Sequence, residues 1–136
     1  MATVTAAISL SSDIADATMT LSKSSTLTKA GSSKGLDTST YTRKTFTATT
    51  HVDLVSASGY SAGANKVYIC NESTDETFYV VITIDSTVIG RLYAGDWMFI
   101  PWGSLDQHDD IEIQAYTGTN RIGYAFFHEG RTLTSA

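Results

Sequence analysis

A chain of 136 residues is long enough for one domain, because a domain of this size buries about 68–70% of the surface its unfolded chain exposes. A hydrophobic share of 42% against 17% charged residues argues against charge-driven disorder, with Ser and Thr filling the polar positions. A formal net charge of −5 with nine scattered Lys and Arg argues against a phosphate-binding surface, so no nucleic-acid partner is expected.

The opening residues MATVTAAISLSSD have no basic segment followed by a long apolar run, and no stretch approaches the roughly 20 apolar residues of a membrane-spanning helix. A soluble intracellular product with no membrane partner is the expectation. Asn71-Glu72-Ser73 matches a glycosylation sequon, which carries no meaning without secretion. Cys70 is the only cysteine, which excludes an internal disulfide framework and a cysteine-rich zinc site. Its place in the run Val67-Tyr68-Ile69-Cys70 predicts a small buried hydrophobe.

Residues 1–45 are rich in Ser and Thr, and Tyr41 is their one aromatic residue. Val4, Ile8 and Leu10 alternate with Thr5 and Ser9, and Met19 and Leu21 alternate with Thr18, Thr20 and Ser22, which predicts short β segments. KAGSSKGLD, residues 29–37, reads as a turn or linker. Charge divides along the chain. Residues 1–50 carry five basic and three acidic side chains (+2), and residues 51–136 carry four basic and eleven acidic ones (−7). Ordering a residue's backbone costs about 1–2 kcal/mol, so a Ser/Thr-rich arm of this length needs burial against a partner to become ordered. The expected organisation is an extended arm over 1–45 and a β domain over 46–136.

From Phe46 the residues Phe46, Ala48, Thr50, Val52 and Leu54 alternate with Thr47, Thr49, His51 and Asp53, predicting one half-buried strand. SASGYSAGAN breaks it, KVYIC is the next strand, and NESTDE is a polar turn before TFYVVITI. Asp85-Ser86 joins that strand to TVIGRLY, and Ala94-Gly95-Asp96 leads into WMFIPW. GSLDQHDD is a loop, IEIQAY a strand, TGTN a hairpin turn, and RIGYAFFHE the last strand. Seven short strands without a helical period predict an all-β fold, an antiparallel β-sandwich or jelly roll, with a meander barrel as the alternative.

The segment LYAGDWMFIPW, residues 92–102, is apolar on both faces of its strand, with Trp97, Phe99 and Pro101 on one side and Met98, Ile100 and Trp102 on the other. One face is expected in the core and the other against a second surface, because monomers rarely leave such patches uncovered. Which tryptophan points inward is open at this point. Pro101 marks an edge or the end of ladder pairing.

Reaction chemistry has little support. His51, His108 and His128 each have an acidic neighbour, but only His51-Val52-Asp53 has a ligand-like spacing within a strand, and further ligands would have to come from distant strands. The loop DQHDD, residues 106–110, has the carboxylates for a hard cation but reads more simply as a solvated loop. No Gly-x-Ser-x-Gly elbow and no phosphate-binding glycine loop occurs, so no catalytic residue, cofactor or metal is assigned. Carbohydrate binding is the stronger rival, because Trp97, Trp102 and seven tyrosines could stack sugars, although aromatics in a β-sandwich usually serve the core.

KVYICNES, FYVVITI, VIGRLYAGDWMFIPW, DIEIQAY and IGYAFFHEG together resemble a pattern of small structural proteins of tailed bacteriophage particles. In that pattern a VYI-x-N strand precedes a G-x-L-x-x-G-[DE]-[WF]-x-F-[IL]-P-[WF] hairpin, and a strand of EY or GY type closes the domain. The resemblance spans roughly residues 65–130, and ISLSSDIADATMTLSKSSTLTKAG adds a weaker likeness. It implies a non-enzymatic virion protein, a capsid decoration or cement protein that binds the major capsid protein or other virion subunits and self-associates as a homo-oligomer. A tail or neck component is the alternative within that class, and a carbohydrate-binding module on a receptor-binding appendage is the alternative outside it. Under this reading the contact residues are Ile8, Leu10, Met19, Leu21 and Leu27 on the arm and Trp97 and Trp102 on the domain.

Overall fold

The computed structural model describes residues 3–12, 19–28, 36–47, 49–57, 64–103, 110–116 and 118–129. Ten strands are assigned: β1 (Thr3–Ser12), β2 (Met19–Thr28), β3 (Leu36–Phe46), β4 (Val52–Val55), β5 (Ala64–Asn71), β6 (Tyr79–Ile84), β7 (Thr87–Tyr93), β8 (Trp97–Trp102), β9 (Ile111–Ala115) and β10 (Asn120–Glu129). No α-helix occurs among the described residues, and no helix there is long and apolar enough to cross a membrane.

The chain forms two compact units, Met1–Asp37 with Glu129–Ala136 and Thr38–His128. In the first, β1 and β2 form an antiparallel hairpin that pairs Val4 with Leu27, Ile8 with Lys23 and Leu10 with Leu21. Both predicted β segments are therefore present. Alternation places Ala6, Ile8, Leu10, Leu21 and Lys23 on one side and Thr5, Ala7, Ser9, Ser11, Thr20, Ser22 and Ser24 on the other. Ile8, Leu10 and Leu21 are exposed.

The second unit is a sandwich of two four-stranded sheets, ordered β3-β10-β5-β8 and β4-β9-β6-β7. Successive strand pairs are nested: β6 with β7, β5 with β8, β4 with β9 and β3 with β10. A long hairpin rolled onto itself produces this order, which is the jelly-roll architecture expected from the turn spacing. Its centre is the two-residue turn Asp85-Ser86, where both residues have positive φ (47° and 60°), the backbone that matches the right-handed twist of the flanking strands.

The eighth strand of the sandwich is β3, which comes from the expected arm and linker. Phe46 is buried in the core, and Thr38 begins the compact unit. The single strand expected over 46–54 is two strands, because Phe46 ends a strand of one sheet and Val52 begins a strand of the other. Between them Thr49 and Thr50 are both exposed, so the inward positions of the expected strand are Phe46 on one sheet and Val52 and Leu54 on the other.

The core consists of the inward residues of both sheets. Val67, Ile69, Val80, Ile82, Ile111, Ile113 and Ile122 are fully buried, each worth about 1.5–3 kcal/mol relative to exposure. On β8, Met98 and Ile100 pack against this core, and Trp102 lies within it. β8 is an edge strand and contains Pro101, as expected of a ladder edge.

Register in β7 depends on a bulge. Ile84 pairs with Thr87 and Thr83 with Val88, but Ile82 then pairs with Gly90, leaving Ile89 as the extra residue. Continued without the bulge, that register would set Arg91 opposite the buried Val80. The inserted residue turns Leu92 inward instead, where it is buried, and leaves Arg91 and Tyr93 outside.

Candidate functional site: the outer faces of the sandwich

Asn71, the last residue of the VYI-x-N strand, is fully buried at one end of the sandwich. Its side-chain N–H group donates to the carbonyl of Leu92 (2.9 Å) and to Oδ1 of Asn120 (3.3 Å), and its Oδ1 accepts from the Ser73 backbone N–H (3.0 Å). Its main chain also bonds Asp96 O and Gly95 N. This asparagine thus joins β5 to β7, to β10 and to the turn before Trp97, and its burial removes it from the surface a glycan would need.

Next to it, the outer face of β3-β10-β5-β8 begins with Glu72. Its carboxylate accepts from the Tyr41 hydroxyl (2.5 Å) and from Nε of Arg43 (2.9 Å), with Nε of Arg121 at 3.6 Å. The Tyr41 hydrogen bond, then that of Arg43, holds the Glu72 carboxyl below the usual carboxylate range, and the same bond raises the Tyr41 phenol. Gly123 of β10 lies directly beneath, where a Cβ would collide with the Tyr41 hydroxyl and the Glu72 carboxylate.

Farther along this face the β5–β8 register sets Cys70 opposite Trp97, Tyr68 opposite Phe99 and Lys66 opposite Pro101. Tyr68 and Trp97 lie 6.3 Å apart, and Phe99 and Phe127 lie 6.2 Å apart. Together they make an aromatic strip. Burial, then a hydrogen bond with Cys70, pushes the Tyr68 phenol up to about 12. Cys70, expected as a buried hydrophobe, faces outward in this strip and is only partly covered.

The two tryptophans part here. Trp97 is 49% exposed, whereas Trp102 is 4% exposed and packs on Phe126 with ring centroids 5.9 Å apart. Alternation along β8 forces that split, because the two residues are an odd number of positions apart. Trp102 is therefore a core residue and presents no surface to a partner or a sugar. Of the arm residues, Ile8, Leu10 and Leu21 are exposed on one side of the hairpin, while the side chains of Met19 and Leu27 lie outside the described residues.

The outer face of β4-β9-β6-β7 holds a cluster that sequence reasoning missed. Tyr79 of β6 opposes Tyr93 of β7, and Val80 opposes Ala115, so Tyr116 follows on the other side of Tyr79. Ring centroids are 4.9 Å apart for Tyr79–Tyr93 and 4.8 Å for Tyr79–Tyr116, the latter pair stacked at 17°. The Arg91 guanidinium sits over the Tyr79 ring at 5.2 Å. No pattern within a single strand signals this cluster, because the Tyr79–Tyr93 pairing depends on the β7 bulge: an unbulged hairpin about Asp85-Ser86 would set Tyr79 opposite Leu92.

Among the histidines, Nδ1 of His51 lies 3.8 Å from Oε2 of Glu112. His108 and most of the DQHDD loop lie outside the described residues, as does the side chain of His128. Asp110 accepts a hydrogen bond from the Ala57 N–H (2.6 Å), tying the end of β4 to the start of β9. Among the described residues no group of three or more His, Cys, Asp or Glu side chains could hold a metal ion.

No protein-family model matches this chain, and no curated protein matches it in sequence. The two outer faces of the sandwich and the side of the β1–β2 hairpin that carries Ile8, Leu10 and Leu21 are the surfaces on which a functional reading rests.

Proposed function

We propose that this chain is a structural, non-enzymatic protein of a bacteriophage particle, a capsid decoration protein that binds the major capsid protein, self-associates and stabilises the shell. The observation that carries the reading is Trp97. It stands half exposed beside Tyr68 in an aromatic strip on an edge strand, within the segment whose pattern resembles small virion proteins. An exposed tryptophan flanked by aromatic rings has the character of an interface anchor. The hairpin supports the same reading through Ile8, Leu10 and Leu21, which line one side of a two-stranded element that is marginal without a further surface.

The test is reconstruction of the intact particle, together with rebinding of the purified chain to particles stripped of it. Density on the head is the expected result, and density confined to the tail or neck overturns the decoration assignment. Trp97→Ala is expected to weaken rebinding by about thirtyfold, the effect of losing a hot spot of about 2 kcal/mol, with an unchanged thermal midpoint. Unchanged rebinding removes Trp97 from the interface. Leu10→Asp combined with Leu21→Asp tests the hairpin in the same assay.

A further inference from the structure

The tyrosine cluster on β9-β6-β7 plays no part in the proposed assembly contact. Cross-strand aromatic pairs can serve sheet stability alone, but three features here exceed that purpose. Tyr116 is 60% exposed and Tyr93 is 41% exposed, so the rings at the two ends of the row are open to solvent. The next row on the same face runs Gln114, Val81, Arg91, which places an amide and a guanidinium beside the aromatic row. Arg91 has no carboxylate partner among the described residues, and its interaction is the stacking on Tyr79.

A guanidinium held over a ring keeps its N–H edges free in a fixed plane, suited to a carboxylate. The Gln114 amide N–H donates to the Thr49 carbonyl at 2.5 Å, which orients its oxygen as an acceptor. Open tyrosine rings offer stacking surface to a pyranose, and their hydroxyls both donate and accept. Residues 51–136 carry −7, so a cation without a carboxylate partner among the described residues is a local exception to the charge of this surface.

We propose that the outer face of β9-β6-β7 binds an acidic saccharide, with Arg91 taking the sugar carboxylate while Tyr93, Tyr116 and Gln114 contact the ring and its hydroxyls. This site stands independently of the assembly reading, because it lies on the other sheet from Trp97.

The experiment is calorimetric titration of the full chain with a galacturonic acid trimer and, separately, with a neutral glucose trimer. Saturable binding of the uronate trimer at about 1 mM or below is expected, with the neutral trimer about tenfold weaker or more. Arg91→Gln should abolish that preference while leaving neutral-trimer binding and the thermal midpoint in place. Tyr116→Phe, which keeps the ring and removes one hydroxyl, should weaken both ligands, and Trp97→Ala should change neither. The proposal is overturned by absence of uronate binding, by equal affinity for the two trimers, or by an Arg91→Gln variant that binds the uronate unchanged.

Discussion

The two outer faces of the sandwich hold themselves together by opposite means. On β3-β10-β5-β8 one carboxylate, Glu72, gathers Tyr41, Arg43 and Arg121 from two other strands and leaves an aromatic strip beside it. On β4-β9-β6-β7 the aromatic rings gather one another, and the Arg91 cation rests over Tyr79 with no acid beside it among the described residues. The first arrangement depends on ionisation and the second does not. Two faces of one domain can thus respond differently to pH and salt while sharing a single aliphatic core.

The largest expected effect falls on the residue that spans both sheets. Asn71→Leu would remove the bonds to Oδ1 of Asn120, to the Leu92 carbonyl and from the Ser73 N–H in one step, and should cost about 3 kcal/mol or more in urea denaturation. A cost under about 1 kcal/mol would mean that the two sheets do not depend on this amide. Gly123→Ala acts on the first face alone. Its Cβ would push against the Tyr41 hydroxyl and the Glu72 carboxylate, at an expected cost of about 1–3 kcal/mol that shrinks in a Tyr41→Phe background.

Acid should separate the faces further. The folded Glu72 carboxyl ionises at a lower pH than the unfolded one, so its stabilisation is complete above the ordinary glutamate value of about 4.3 and is lost as pH falls from there through the depressed folded value. The gap in urea midpoint between the parent chain and Glu72→Gln should therefore hold steady from about pH 7 to about pH 5 and narrow as pH falls below about 4.3. Arg91→Gln on the other face should show no such narrowing. The smallest effect belongs to Thr83, whose hydroxyl is buried without a hydrogen-bond partner among the described residues. Thr83→Val should stabilise the domain by about 1 kcal/mol, read as a raised thermal midpoint.

The inner faces were legible in the sequence and the outer faces were not, for a physical reason. Alternation in KVYIC, VVITI, IEIQA and RIGYAFF reports which residues meet water, and that pattern located seven strands and the class of fold. What lies side by side on an outer face depends on register between strands. The tyrosine row required the Ile89 bulge, which carries no signature a single strand can show. The Glu72 cluster required β3, whose Ser/Thr-rich composition hid its membership of the sandwich. Trp97 and Trp102 show the intermediate case. Period-two alternation guaranteed that they would point opposite ways, and only the position of the core decided which way each pointed.

Nested pairing also favours an order of assembly in time. The β6–β7 pair closes across two residues, β5–β8 across residues 72–96, β4–β9 across 56–110 and β3–β10 across 47–119. Each inner closure shortens the loop left for the next, so a chain that zips outward from Asp85-Ser86 avoids the entropic cost of forming its longest contacts first. On this order the two-residue turn is the first closure and β3, the strand that follows the β1–β2 hairpin in the chain, is the last to pair.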